Sequence, residues 1–310
     1  MSEANGDAVH VPVMLSEVVN ALGAKNGGMF LDCTFGGGGH TRAILDANPD
    51  SWVVAMDRDS RALERGLRWA GQYGDRLDLV HAPFSRASEA VSGRVFDGVL
   101  ADLGLSTDQL VEGRGFSFAD SSALDMRMDE SRGITAADFV NTSSEREIFL
   151  ALAEGGVGKN ARALARTLVF HRPFASAKEL ADAVKASQLG KRSESRVHPA
   201  TVVFQALRMR VNDELGEVQK LLDEAPKVVK PGGRLAVITF HSIEDKAVTS
   251  CMRKWESAGS YPANWRGIRA EKRLGRMVNR DVVEPSEEEV ARNPASRSAR
   301  LRVFEFGENF

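Results

Sequence analysis

The chain has 310 residues, enough for one large domain or for a domain carrying an insertion. Its 43% hydrophobic and 27% charged content is that of a soluble globular protein, and no apolar run reaches membrane-spanning length. Basic and acidic residues nearly balance at a net charge of −2, so no global basic field draws the chain to nucleic acid, and any such contact has to come from local patches.

"MFLDCT" (29–34) is a first apolar run that ends at four consecutive glycines, 36–39. Helix-face residues Ala43, Ile44 and Leu45 follow. "SWVVAMD" (51–57) is a second run and ends on Asp57. "RALERGLRWA" (61–70) then reads as a helix, with Leu63 and Leu67 one turn apart on its apolar face. "LDLVHAPF" (77–84) and "FDGVLADLG" (96–104) are the third and fourth strand candidates, the fourth ending on Asp102. Strands alternating with helices predict βαβ units and a parallel sheet.

The alternation stops near residue 108. From 109 to about 200 there are helix starts instead. "TAAD" (135–138), "SERE" (144–147) and "SAKE" (176–179) each pair a hydroxyl residue with an acid three places on, the pattern of a capping box. The sequence from 200 to 222 reads as one long amphipathic helix. "PGGRLAVITF" (231–240) is a turn and an apolar strand, and "SARLRVFEF" (298–306) alternates as an edge strand would. The expected fold is therefore α/β, a doubly wound, mostly parallel Rossmann-like sheet. It is built from residues 1–108 and 205–310 and interrupted by a helical insertion over 109–204.

Cys33 and Cys251 are the only cysteines, too few for a disulfide framework or a four-thiolate zinc site, and no metal is expected. "MSEANGDAVHVPV" has no basic segment leading into an apolar core, so the cytoplasm is the expected compartment.

A strand, a glycine-rich turn and a helix form a nucleotide-binding entrance, because the turn lets a ligand lie against backbone amides at the positive end of the helix. A dinucleotide site needs a third small residue three positions after the G-x-G pair. Here Gly36 and Gly38 lead to Thr41, and Gly37 and Gly39 lead to Arg42. S-adenosylmethionine has no pyrophosphate and needs only the tight turn, so the loop favours that cofactor. Asp57 lies 21 residues after Gly36, where an acid can accept both ribose hydroxyls. Asp102 ends the fourth strand at the same sheet edge, and Phe84, at the end of the third, could cover an adenine ring.

With those residues in view, the sequence resembles the bacterial MraW/RsmH family, 16S rRNA (cytosine-N(4))-methyltransferases that modify a cytidine of the decoding region. "HVPVML", "LDCTFGGGGHT", "AMDRD", "HAPFS", "ADLGLSTDQL", "GRGFSF", "LDMRMD", "HPAT", "FQALRMRVNDEL", "PGGRLAVITFHSIED" and "NPASRSARLR" follow that family's blocks in order over nearly the whole chain. The resemblance implies S-adenosylmethionine as cofactor, bound by Gly38, Gly39, His40, Asp57, Phe84, Asp102 and Gln109. It implies 16S rRNA within the small ribosomal subunit as partner and the insertion as a substrate-recognition domain. Two stretches depart from the family pattern. Val202 stands where Arg or Lys is usual, and 154–160 lacks the usual Gly-Glu-Glu-Arg signature.

Methylating an amino nitrogen calls for a proton acceptor near it. The Asp/Asn/Ser-Pro-Pro-aromatic run that usually serves after the fourth strand is replaced here by "DLGL" (102–105). Asp102, Asp125 and His241 are the positional candidates, and the catalytic residue stays open among them. "KRSESR" (191–196) and "RGIRAEKRLGR" (266–276), the latter next to Trp265, are the stretches best suited to hold RNA. The alternative reading is a catalytically inactive, cofactor-binding factor of ribosome assembly.

Overall fold

The apolar runs become strands because every second residue faces a different helical layer. The computed structural model describes residues 12–117, 121–187, 199–257 and 273–308. Its strands are β1 (Gly28–Asp32), β2 (Ser51–Asp57), β3 (Leu77–His81), β4 (Phe96–Asp102), β5 (Val229–Thr239), β6 (Gly275–Met277) and β7 (Arg300–Phe306). They form one sheet in the order β3-β2-β1-β4-β5-β7-β6. The first five strands are parallel, while β7 runs antiparallel to both its neighbours. Leu31, Val54, Met56, Val99, Ala101, Leu235 and Val237 point into one apolar cluster. Phe30, Val53, Ala55, Leu100, Ala236 and Ile238 point into the other. A sheet buried on both faces reads as continuous apolar runs, and that is what the sequence showed.

By compactness the described residues divide into two units, one lying within 1–104 and 218–310, the other within 105–217. The first carries the sheet with α1 (Leu15–Leu22), α2 (Gly39–Ala47), α3 (Ser60–Ala70) and α4 (Ala87–Ala90). Asp59 caps α3 by accepting the Arg61 amide at 3.1 Å. Leu63 is buried on α3 as expected, but Leu67 is 66% exposed and belongs to the solvent face. β7 is not an edge strand either. It lies between β5 and the three-residue β6, which is too short to show any alternation in sequence.

The second unit is helical, and no strand of the sheet comes from its described residues. It holds α5 (Thr107–Val111), α6 (Ala136–Thr142), α7 (Glu145–Glu154), α8 (Ala161–Phe170), α9 (Ala177–Ser187) and α10 (Pro199–Val211). All three expected capping boxes form. Thr135 with Asp138 starts α6, Ser144 with Glu147 starts α7, and Ser176 exchanges bonds with Glu179 at the start of α9. Gly155, in the stretch that departs from the family pattern, lets α7 approach α10. A Cβ there would stand 2.2 Å from that of Ala206.

The long helix expected over 200–222 is two helices, α10 and α11 (Glu214–Val228). The break falls at Asn212 and Asp213. Asp213 takes a left-handed φ of 49°, which Asp tolerates better than most residues. Asn212 is buried and turned inward. Its Nδ2 donates to the Met126 and Arg208 carbonyls at 2.7 and 2.9 Å, and its Oδ1 accepts from the Met128 amide at 2.8 Å. Because α10 packs Phe204, Ala206 and Leu207 into this unit's core, the chain rejoins the first unit at Val218, later than the residue 205 read from the sequence. After β5 the first unit adds α12 (Ser242–Ser257) and α13 (Glu287–Arg292). Among the described residues no helix is long and apolar enough to cross a membrane.

Candidate active site

The strand order reverses direction between β1 and β4, and open α/β sheets bind ligands beside such a switch, outside the carboxyl ends of the strands. Three strands end there on an aspartate. Asp32 closes β1 and pairs in register with Ala55 of β2 and with Leu100 of β4. Asp57 and Asp102 each lie two residues beyond those partners. They therefore stand at one level on either side of β1, roughly 10 Å apart from the usual strand spacing. The glycine turn rises between them.

The turn is tied to all three acids. Asp32 is fully buried; its Oδ1 accepts the Thr34 amide at 3.1 Å and its Oδ2 the Thr41 hydroxyl at 2.7 Å. The Gly36 amide donates to Asp57 Oδ2 at 2.8 Å, and the Asp59 amide donates to Oδ1 at 2.8 Å. The Asp102 amide donates to the Thr34 hydroxyl oxygen at 2.7 Å. Gly38 has a φ of 76°, and a Cβ there would sit 2.2 Å from the Trp69 ring and 2.9 Å from Phe35. The glycine is thus required by fold and packing together. Gly39 and His40 open α2, the helix whose first amides point at the turn.

His40 is buried. Its Nε2–H donates to the Val13 carbonyl at 2.9 Å, and its Nδ1 lies 3.8 Å from Asp102 Oδ2. Burial pushes the Asp57 carboxyl up to about 6, against the opposing pull of the Asp59 and Gly36 amides. Burial also raises Asp102, with the neighbouring His40 and the Gly104 amide offsetting part of the rise. Asp32 is raised for the same reason. Phe84 follows Pro83 in the short turn after β3 and packs, partly buried, against the core of the sheet.

The structure thus brings together Gly38, Gly39, His40, Asp57, Phe84 and Asp102 along one edge of the first unit's sheet. Gln109 belongs to the second unit, where it is buried and completes a capping box with Ser106 at the start of α5. Asp125 is also in the second unit. Both its oxygens hold the Arg127 guanidinium, at 2.7 and 2.8 Å. Burial raises the Asp125 carboxyl, but those bonds outweigh it and hold the group below the usual range. His241 lies two residues beyond β5, in the first unit. Its Nδ1 accepts from the Glu244 amide at 3.4 Å, and its Nε2 is 3.0 Å from the buried Glu244 carboxylate. The ring caps α12.

Sequence reasoning missed Asp32, Thr34 and Thr41. The signal was present, since Asp32 ends its strand as Asp57 and Asp102 end theirs. Thr41 occupies the place where a dinucleotide site has its third small residue, and its hydroxyl is spent on Asp32. The basic stretch 191–196, residues 266–272 and Trp265 lie outside the described residues. Of the rest of the second stretch, Arg276 is paired with Glu305 at 2.6 Å, and Arg273 is 4.0 Å from Glu256.

Residues 7–307 match the model of the MraW methylase family. The chain belongs to the MraW methylase family. Among MraW methylases and their relatives it is 41% identical over 297 residues to the ribosomal RNA small subunit methyltransferase H of Trichormus variabilis, covering 96% of this chain and 91% of that protein. It is 42% identical over 309 residues to the protein of the same description from Granulibacter bethesdensis, again covering 96% and 91%. The family match therefore spans both units of this MraW methylase.

Proposed function

We propose that this chain transfers the methyl group of S-adenosylmethionine to the exocyclic amino nitrogen of a cytidine in the decoding region of 16S rRNA, acting on the small ribosomal subunit in the cytoplasm. Methyltransferase activity and the cofactor follow from membership of the methylase family. Ribosomal RNA is the substrate class in the names of its relatives, and the cytidine follows from the resemblance of the sequence blocks. The observation that carries the reading is the glycine turn held between Asp57 and Asp102 at the switch point, in a chain matched along nearly its whole length.

The donor set suits this cofactor. Each Asp57 oxygen takes one backbone amide and keeps a lone pair for a ribose hydroxyl. The amides opening α2 suit a carboxylate. When bound, S-adenosylmethionine supplies an electrophilic methyl group. This chain's residues then have to place the acceptor nitrogen in line and receive its proton.

Of the three candidates for the proton, Asp102 has the most free acceptor capacity. Its Oδ1 takes only a long bond of 3.4 Å from the Gly104 amide, and burial makes it a stronger base than an exposed carboxylate. Asp125 and His241 are committed to Arg127 and Glu244. We therefore assign proton acceptance to Asp102, with His40 beside it to stabilise its charge.

Mass spectrometry of small-subunit rRNA tests the proposal. Cells lacking the protein should lose one N4-methylated cytidine, and the wild-type gene should restore it. An unchanged nucleoside profile would refute the substrate and leave the assembly-factor alternative.

A further inference from the structure

A second polar cleft, of about 300 Å³, opens in the first unit at the carboxyl end of β5. Phe240, His241 and Ser242 line one side, following β5 and opening α12. Arg297, Ser298, Ala299 and Arg300 line the other, leading into β7, with Glu284 at the rim. The cleft forms because Arg300 pairs in register with Thr239, which sets the start of β7 against the end of β5.

The arginines here are not equivalent. Arg302 forks onto both oxygens of Asp245, at 2.8 and 3.0 Å. Arg300 reaches the same carboxylate at 3.4 Å and lies 4.0 Å from Glu284. Arg297 is exposed, and no carboxylate or hydrogen-bond partner holds it among the described residues. Asp245 and Glu284 thus offset Arg300 and Arg302, and Arg297 is left as the uncompensated cation. Ser242 and Ser298 line the same cleft and offer hydroxyl donors. Ser242 also begins the 16-residue α12, whose first amides add partial positive charge. His241 is turned onto Glu244. Only Phe240 and Ala299 are apolar, so an apolar ligand finds little surface, whereas a tetrahedral anion finds a cation and several donors.

We propose that this cleft is a subsite for a backbone phosphate of the RNA substrate, anchored by Arg297. The proposal rests on the reading of this chain as an rRNA methyltransferase. β5 is the direct neighbour of β4, with Ile238 opposite Asp102, and β7 is the next strand, so the cleft between β5 and β7 lies one to two strand spacings, roughly 5–10 Å, to the side of the proton acceptor. A strand presenting its base at Asp102 carries its backbone over that edge. A protein of net charge −2 needs such local anchors to hold a polyanion.

Arg297→Ala and Arg297→Lys decide it, with purified small ribosomal subunits as the probe over a series of salt concentrations. Both filter binding and methyl transfer are measured. Arg297→Ala should weaken subunit binding about tenfold at low salt and flatten the log–log salt slope by about 0.7–0.9, the value for one phosphate. The KM for subunits should rise with it, while kcat and S-adenosylmethionine affinity stay put. Arg297→Lys should restore most of the slope, since a phosphate accepts either cation. Unchanged binding and slope in Arg297→Ala would overturn the subsite. If the wild-type protein binds subunits without methylating them, the functional reading falls and the binding arm still decides the subsite. If it does neither, both fall.

Discussion

Protonation of Asp57 should control cofactor affinity. Its carboxyl is pushed up to about 6, and it can accept two ribose hydroxyls only when ionised. At pH 7 about nine in ten copies are ionised, and at pH 5 about one in eleven. If the complex excludes the proton, affinity for S-adenosylmethionine should fall about tenfold from pH 7 to pH 5, or about 1.4 kcal/mol. Asp59 and Asp32 also face this group, and Asp32 and Asp102 are raised as well, so the comparison has to be with Asp57→Asn. That variant should bind weakly at both pH values, with the Asp57 part of the slope gone. Calorimetry in two buffers of different ionisation heat would also show about half a proton released on binding near pH 6.

Stability has the opposite sign. A carboxyl raised in the folded state binds its proton more tightly there than in the unfolded chain, so its contribution falls as pH rises from 3.8 to about 6. The cost is absent below that window and full above it, at about 3 kcal/mol at most. Relative to wild type, Asp57→Asn should therefore be more stable at pH 8 than at pH 4. Wild-type affinity that does not change with pH, or an identical slope in the variant, would refute the reasoning.

Two further outcomes test the packing. Gly38→Ala forces a left-handed alanine against Trp69 and Phe35 and should cost at least about 2 kcal/mol in urea unfolding, with loss of cofactor binding; a loss under about 0.5 kcal/mol would contradict the contacts. Asn212→Ala should destabilise the second unit by about 2–3 kcal/mol, read as a lower urea midpoint, because the Met126 carbonyl and the Met128 amide lose their partner inside the core.

What the sequence determined by itself was local. Strands buried on both faces leave continuous apolar runs, so β1, β2, β4 and β5 were legible, and a hydroxyl with an acid three residues on gave the starts of α6, α7 and α9. Asp57 and Asp102 were legible because each ends such a run. Tertiary structure decided whatever depends on a partner far along the chain. The break in 200–222 is set by Asn212 reaching Met126, 86 residues away, while periodicity alone runs straight through it. His40 is turned by the Val13 carbonyl, 27 residues earlier. Leu67 has the spacing of a core residue, but helix rotation against the sheet leaves it in water. The cleft at Arg297 exists only because β7 pairs with β5, and neither strand's own sequence records which neighbour it will find. Periodicity reports the rotation of side chains about one element's axis. Where that axis lies is set by summed burial over the whole fold, which no local pattern contains.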